Sequence, residues 1–472
     1  MKILYVTSEA SPFAASGGLG DVMGALPKEI AKKGEEASVI LPLYDTVLEK
    51  YGDELNWVSE LSFPLSWRNT EANIYKIEKD GVNYFFVDNE YYFRRGKLYG
   101  EYDDGERFAF FSRAVIEFIL DTRFTPDILH ANDWHSALTI IYLKTLFSGY
   151  KLLHSVKTVF TIHNIEYQGK YDSSILSDVF GLDYRDKNLT ELHGDINLMK
   201  GGIVTADAVT TVSPNYRNEL HHDFFAYGLS DIIKANAGKI TGILNGIDYS
   251  VFSPEHGGDI YVPYGKKNYK SKKAENKRLL TEELGLSYDE KIPLAVMITR
   301  LASQKGIELF LHIADELLSE KIQVVILGTG EEKYENSLKA LEERHHNFKA
   351  ILDFNRALAK KLYAASDIFL MPSRFEPCGL SQMIACSYGS VPIVRSVGGL
   401  YDTITPYGEE GANGFRFDNF NAHEFLFTIK LAAEVYNDKK EWDKLVSSAL
   451  KCVFSWDKSA EEYISIYRNL LN

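Results

Sequence analysis

The chain has 472 residues, 45% hydrophobic and 25% charged, which is enough apolar material for more than one core and excludes a disordered chain. At roughly 150 residues per domain it holds two to four domains. A net charge of −14 excludes non-specific nucleic-acid binding, and an anionic small ligand would need local cations or backbone N–H groups.

Residues 2–7 form a β-rich run. Its apolar part, 3–6, is too short for a secretory signal, and no stretch approaches the roughly 18 apolar residues of a membrane span. The loop Ser16-Gly17-Gly18-Leu19-Gly20-Asp21 leads to a helix at 22–33, closed by Gly34. A buried strand follows at 37–41. Further strands are expected at 84–87, 128–131, 158–162 and 208–212, with helices at 108–120 and 137–147. The first unit ends around Asn245-Gly246-Ile247-Asp248. Residues 265–278 carry Lys266, Lys267, Lys270, Lys272, Lys273, Lys277 and Arg278. This stretch reads as a solvated linker and the first turns of a surface helix rather than an anion or polysaccharide patch. A second unit has strands at 294–298, 324–327, 350–352, 368–371 and 391–394, and helices at 307–318, 358–365, 423–434 and 458–471. The alternation predicts an α/β protein of two doubly wound, Rossmann-like domains facing across a cleft, with ligands at the carboxyl ends of strands. The expected domains are 1–248 and 249–455, with a C-terminal helix over 456–472.

Polar clusters follow several of these strands. Glycines at 17 and 18 let backbone N–H groups approach a phosphate at a helix start, although the loop also reads as a tight packing turn. Asp21 either caps that helix or accepts a ligand hydroxyl. The loop is neither G-x-G-x-x-G nor a Walker sequence, so a dehydrogenase reading finds no support. In His130-Ala131-Asn132-Asp133-Trp134-His135 the Asp133 carboxylate and Trp134 indole suit a sugar, which offers hydroxyls and stacking faces. The alternative there is a capped helix start with a buried Trp. His163 follows another strand and is a candidate hydrogen-bonding, acid or base group. Arg300 and Lys305 span a loop into a helix, where two cations suit a diphosphate, the alternative being a surface salt-bridge pair. Glu376, between Pro372 and Pro377, suits sugar hydroxyls or positive charge on a sugar carbon, the alternative being a helix cap. The N–H groups of residues 378–381 are placed to face a phosphate. The three cysteines, Cys378, Cys386 and Cys452, are too few for a disulfide framework or zinc site and fit a reduced, cytoplasmic setting. Cys378 reads as packing material rather than a nucleophile.

Taken in order, these motifs resemble the bacterial glycogen synthases and plant starch synthases that use a nucleotide-glucose donor. The resemblance spans essentially the whole chain and includes Gly-Asp-Ile-Asn-Leu-Met-Lys-Gly-Gly-Ile from Gly194 to Ile203. It implies a GT-B type glycosyltransferase fold with the active site between its domains, retention at the sugar carbon, and no metal or other cofactor. It also implies that the last helix crosses back to the first domain. Arg300 and Lys305 then look like the diphosphate clamp, Glu376 like the essential acidic residue near the donor glucose, and His163 like a donor-sugar contact. Gly17, Gly18, Asp21, Asn245 and the backbone of Cys378, Gly379 and Leu380 look like further donor contacts. Asp133, Trp134 and Asn164 look like the glucose and acceptor surface. The expected partners are ADP-glucose and glycogen or another α-1,4-glucan, with no nucleic acid and no membrane.

The chain departs from this pattern twice. Many family members carry a lysine two residues before the Gly-Gly pair, where this chain has Ala15, and retaining relatives often have a second glutamate where it has Ile384. The second departure is usual in the synthase branch. The expected reaction is retaining transfer of glucose from ADP-glucose to the non-reducing end of an α-1,4-glucan. The alternatives are a same-fold transferase using UDP-glucose or a small acceptor such as sucrose, and a catalytically silent glucan-binding or regulatory protein.

Overall fold

Residues 1–256 and 258–472 are described by the structure, a computed structural model. The chain divides into two units, Met1–Ile243 with Trp456–Asn472, and Leu244–Ser455.

In the first unit, runs of consecutive apolar residues make strands that are buried on both faces, as a parallel sheet covered by helices requires. In chain order its strands are β1 (Lys2–Val6), β2 (Glu36–Pro42), β3 (Asn56–Leu65), β4 (Arg68–Lys79), β5 (Val82–Asp88), β6 (Ile128–Asn132), β7 (Lys157–Ile162), β8 (Lys170–Tyr171), β9 (Glu191–Leu192), β10 (Asp195–Asn197), β11 (Ala208–Thr211) and β12 (Ile240–Gly242). Nine of them form one sheet in the order β12-β11-β7-β6-β1-β2-β5-β4-β3, and β8-β10-β9 form a small second sheet. From β1 the sheet grows through β2 and β5 on one side and through β6, β7, β11 and β12 on the other. The direction of winding therefore switches between β1 and β6.

The antiparallel hairpin β3–β4 is an addition to the expected strands. Its two-residue turn is Ser66-Trp67, with Ser66 at φ 55, and along β3 the residues Leu61, Phe63 and Leu65 point inward in strict alternation. Helix Trp456–Leu471 packs on helix Gly18–Lys32. The Tyr467 hydroxyl lies 3.1 Å from the Tyr5 hydroxyl and 2.7 Å from His130 Nδ1. Lys33 reaches Asp457 and Glu461 at the rim of the same contact.

The second unit holds β13 (Leu294–Ile298), β14 (Gln323–Leu327), β15 (Phe348–Ile351), β16 (Ile368–Met371), β17 (Val391–Arg395) and β18 (Phe415–Phe417), in the parallel order β15-β14-β13-β16-β17-β18. Its switch lies between β13 and β16. Helices Ile307–Leu318, Ala422–Asn437 and Lys439–Lys451, the last not expected, bury Phe310, Ile313, Phe425, Ile429, Trp442 and Leu445 in one core. Among the described residues no helix is long and apolar enough to cross a membrane.

The basic stretch is not simply solvated. It enters helix Tyr269–Glu283, in which Lys273 and Lys277 are buried. Lys273 Nζ donates to the carbonyls of Ala364, Ser366 and Tyr388. Lys277 Nζ bonds Asp367 at 2.7 Å, the Ile292 carbonyl and the Tyr436 hydroxyl. Both lysines pin loops to the end of the sheet opposite its carboxyl edge. Lys277→Ala is expected to cost the second unit about 3 kcal/mol by leaving Asp367 without its cation, read from its urea-unfolding transition. An unchanged midpoint would show that the pair carries no stability.

Candidate active site

Each unit carries a polar cluster on the loops that follow its two switch-point strands, where an open α/β sheet leaves room for a ligand.

In the first unit, the chain leaves β1 as Thr7-Ser8-Glu9. Glu9 is buried, and its carboxylate accepts from Ser16 N–H at 2.5 Å, Ser16 Oγ at 2.8 Å, Gly17 N–H at 3.3 Å and the Tyr99 hydroxyl at 2.5 Å. The Tyr99 hydroxyl also meets Ser8 Oγ at 2.8 Å. The glycine loop is thus tied down by a carboxylate from seven positions upstream. The Gly17 N–H, expected to approach a phosphate, is here bonded to the Glu9 carboxylate. The helix also begins earlier than expected, at Gly18, so Asp21 lies in its first turn rather than at its cap. Gly18 is exposed. Glu9 and Tyr99 were missed by the sequence reading. Glu9 at a strand's carboxyl end was the available signal.

Asp133 follows β6 with φ 56, a left-handed conformation that a non-glycine residue adopts under strain. Its N–H donates to the Thr161 carbonyl, and its carboxyl accepts from the N–H groups of His163 at 2.8 Å and Asn164 at 3.4 Å. Burial pushes this carboxyl up to about 7; the two N–H bonds oppose that and the nearby Glu9 charge adds to it. His163 is buried, and burial pushes its imidazole down to about 3, so it is neutral at pH 7. Asn132 Nδ2 donates to the carbonyls of Val6 and His130, which leaves Asn132 Oδ1 to accept from His163 Nε2 at 2.9 Å. The proton therefore sits on Nε2, and Nδ1 is a hydrogen-bond acceptor. As a proton donor toward a substrate His163 is unsuited.

Two sequence candidates in this cluster also have packing or turn partners. Trp134 is buried, packed on Phe108 and on His135 at 4.1 Å between ring centroids. Gly169, at φ 61, makes room for it, since a Cβ there would lie 2.5 Å from an indole carbon. The ring supports the loop and presents no open face to a sugar. Asn164 Oδ1 is used in a local turn, accepting from Glu166 N–H at 3.0 Å.

In the second unit, the loop after β13 carries Arg300 and Lys305, and the loop after β16 carries Glu376. Lys305 Nζ meets Glu376 Oε2 at 2.6 Å, and Ser373 Oγ donates to the same oxygen at 3.1 Å. The neighbouring loops are stitched by Gln304 Nε2 to the Phe375 carbonyl and Arg374 N–H to the Gln304 carbonyl. Arg300 is exposed, and among the described residues its guanidinium has no hydrogen-bond or ion-pair partner. The two cations are therefore not a surface salt-bridge pair. Gly398, at φ 41, lets the third loop close on Glu376, because a Cβ would fall 1.9 Å from the Glu376 carbonyl oxygen. The Cys378 thiol is buried, hydrogen-bonded by the Asn245 backbone, and pushed up to about 12 by burial, so it is inert packing. Asn245 is itself buried, and its Oδ1 has no partner among the described residues, the kind of orphan that a ligand donor repays. Gly379, at φ 72, and Leu380 lead into the short helix Ser381–Ser387. Phe354, exposed by 78% just after β15, was not a sequence candidate.

Residues 2–235 match the family described as the starch synthase catalytic domain, and residues 285–447 match the glycosyl transferases group 1. The chain is 46% identical to a glycogen synthase of Clostridium novyi and 45% identical to one of Clostridioides difficile, in each case over 100% of both chains. Its structure superimposes with a TM-score of 0.92 on the catalytic domain of starch synthase IV from Arabidopsis thaliana bound to ADP and acarbose, at 33% identity over 100% of this chain and 99% of that one. A sucrose-phosphate synthase from Thermosynechococcus elongatus shares the fold at a TM-score of 0.65 and 16% identity, covering 99% of this chain and 98% of that one.

Asp133 holds its proton in the folded state at pH values where the unfolded carboxyl, near 3.8, has lost it. Its contribution to stability is therefore full below pH 3.8 and lost as the pH rises through about 7. Asp133→Asn is expected to flatten the stability–pH curve across that interval. Parallel curves for the two proteins would place the titration elsewhere.

Proposed function

Since the chain belongs to the family of bacterial glycogen synthases and plant starch synthases, we propose that it transfers glucose from ADP-glucose to the non-reducing end of an α-1,4-glucan with retention of configuration. It is a glycosyltransferase of the GT-B type, with two doubly wound α/β units as expected.

The observation that carries the proposal is the Lys305–Glu376 contact at 2.6 Å beside the unpartnered Arg300, at the switch point of the second unit. Breaking the bond between the glucose C1 and the donor phosphate leaves a negative charge on the phosphate and a positive one at C1. Arg300 and the remaining protons of Lys305 meet the first, and Glu376 faces the second. The cations of this chain do that work, without a metal. Asn245 Oδ1 accepts a donor hydroxyl, and the exposed Phe354 ring offers a face to the nucleotide base. In the first unit, His163 Nδ1 accepts a sugar hydroxyl, and Asp133 holds the His163 backbone in place. Attack on the face the phosphate leaves gives retention. The acceptor 4-hydroxyl forms the new bond to C1, and its proton passes to the departing phosphate oxygen, releasing ADP. Trapping a glycosyl-enzyme adduct would refute this step. The relative from Arabidopsis, bound to ADP and acarbose, supports the choice of nucleotide and of an oligosaccharide acceptor.

Nucleotide release from ADP-glucose and UDP-glucose, with and without glycogen, tests the reading. Glycogen-dependent ADP release with chain lengthening is expected. Faster UDP release would move the donor, and no release from either with glycogen still bound would favour a silent binding protein. Glu376→Ala and Lys305→Ala are each expected to lose about 100-fold or more in turnover, the scale of one lost electrostatic stabiliser. Near-normal turnover in both would sink their roles.

A further inference from the structure

We propose that Asn132 is a positioning residue for the transfer: its side-chain amide fixes the proton of His163 on Nε2, so that the first unit favours a donor sugar that presents a hydroxyl to Nδ1. This deepens the reading above and rests on it for the identity of the sugar.

Asn132 is the last residue of β6, and its backbone is gripped from one side. Its N–H meets Ser136 Oγ at 2.6 Å, and that hydroxyl donates to the Asn132 carbonyl at 2.8 Å. The side chain is fully buried and spans three neighbouring strands in the order β7-β6-β1. Nδ2 donates at 3.2 Å to the carbonyl of Val6, the last residue of β1, and at 3.2 Å to that of His130 in β6. Oδ1 faces His163 Nε2, on the loop after β7, at 2.9 Å. Only one orientation of the amide works here. Turned over, Oδ1 would lie against two carbonyl oxygens in a place without water, and both contacts would be repulsive. The amide therefore commits Oδ1 to the imidazole, and the imidazole commits its proton to Nε2.

That leaves Nδ1, which has no partner among the described residues. Burial opposes a second proton on the ring. The groups around it do not supply one. Asp133 bonds two backbone N–H groups, and Glu9 bonds the glycine loop and Tyr99, so neither carboxylate pairs with the ring. His130, on the strand below, is neutral for the same reason of burial and is engaged at both nitrogens, by the Tyr467 hydroxyl and by Thr161 Oγ1. A neutral ring protonated on Nε2 is a pure acceptor at Nδ1. A hydroxyl satisfies it. A fluorine or a carboxylate has no proton to give and leaves it unpaired. The proton that Asn132 places therefore selects the chemical class of substituent on the sugar.

The test uses the full-length chain with nitrogen-labelled histidine. Multiple-bond proton–nitrogen spectra report which ring nitrogen carries the proton, and the His163 signals are those missing from His163→Gln. In the wild type Nδ1 is expected to stay unprotonated across the neutral pH range. In Asn132→Ala the two tautomers should mix. Asn132→Asp, which keeps an oxygen facing Nε2, should restore the Nε2–H form above neutral pH. Kinetics give a second readout, with ADP-glucose analogues carrying fluorine in place of one hydroxyl at C3, C4 or C6. At the position that meets Nδ1 the wild type should lose about 30-fold in kcat/KM. That loss should shrink in Asn132→Ala, where Nδ1 carries a proton part of the time, while losses at the other positions stay as they are. A proton on Nδ1 in the wild type, or a His163 that titrates near the ordinary histidine range, would overturn the proposal. So would an unchanged tautomer in Asn132→Ala, or fluorine losses that Asn132→Ala leaves unmoved at every position. If the wild type released neither nucleotide, the transferase reading would fail, and the ring spectra would still decide whether Asn132 places the proton.

Discussion

A parallel sheet that grows in two directions must contain one pair of adjacent strands whose following helices go to opposite faces. The loops leaving those two strands part instead of covering each other. In this chain the constraint operates twice, at β1/β6 and at β13/β16. It places Glu9 and the Asn132-Asp133 turn on neighbouring loops in the first unit, and Lys305 and Glu376 on neighbouring loops in the second. The pairing of Ala295 with Ile368 and of Val296 with Phe369 fixes the register that lets Lys305 reach Glu376. The apolar strands beneath serve mainly to hold these few polar side chains in place.

The glycine loop shows how one substitution shifts the electrostatics. Relatives with a lysine before the Gly-Gly pair bring a cation to this loop. This chain has Ala15, and the side chain that organises the loop is an anion, Glu9. A carboxylate that accepts two loop amides, a serine hydroxyl and a tyrosine hydroxyl is well satisfied by hydrogen bonds, but it repels a phosphate. On the proposed reading the side chains that meet the donor diphosphate are Arg300 and Lys305, beside the N–H groups of residues 378–381. On the same proposed reading the first unit serves hydroxyl recognition, in agreement with a neutral His163 whose Nδ1 is an acceptor.

Much of this was legible in the sequence because buried parallel strands are short apolar runs closed by polar residues, and β1, β6, β7, β13 and β16 all have that form. Hairpin β3–β4 escaped because its strands are solvated on one face, and Glu60, Ser62 and Pro64 interrupt the apolar run. The basic stretch misled for the opposite reason. Composition marks Lys273 and Lys277 as solvated, while three carbonyls around one and Asp367 around the other make their burial tolerable. The candidate site residues were chosen by type and by position after a strand. The bond partners that decide their roles lie far away in sequence, as Tyr99 does from Glu9 and Asn132 from His163, and no local pattern reports them.

Donor counting separates Lys273 and Lys277, which hold the fold, from Lys305. A lysine ammonium has three protons to give. Lys273 spends them on three carbonyls, and Lys277 on a carbonyl, a carboxylate and a hydroxyl. Lys305 Nζ has one partner among the described residues, Glu376. A part-buried ion pair of this kind adds little net stability, because desolvation consumes most of the attraction and a packed apolar pair would serve the fold as well. What an apolar pair cannot do is hold an anion and a cation within 2.6 Å of each other, which is the arrangement the proposed transfer uses. Lys305 keeps protons to give, and the exposed Arg300 guanidinium has no partner among the described residues, so both remain available to an anion.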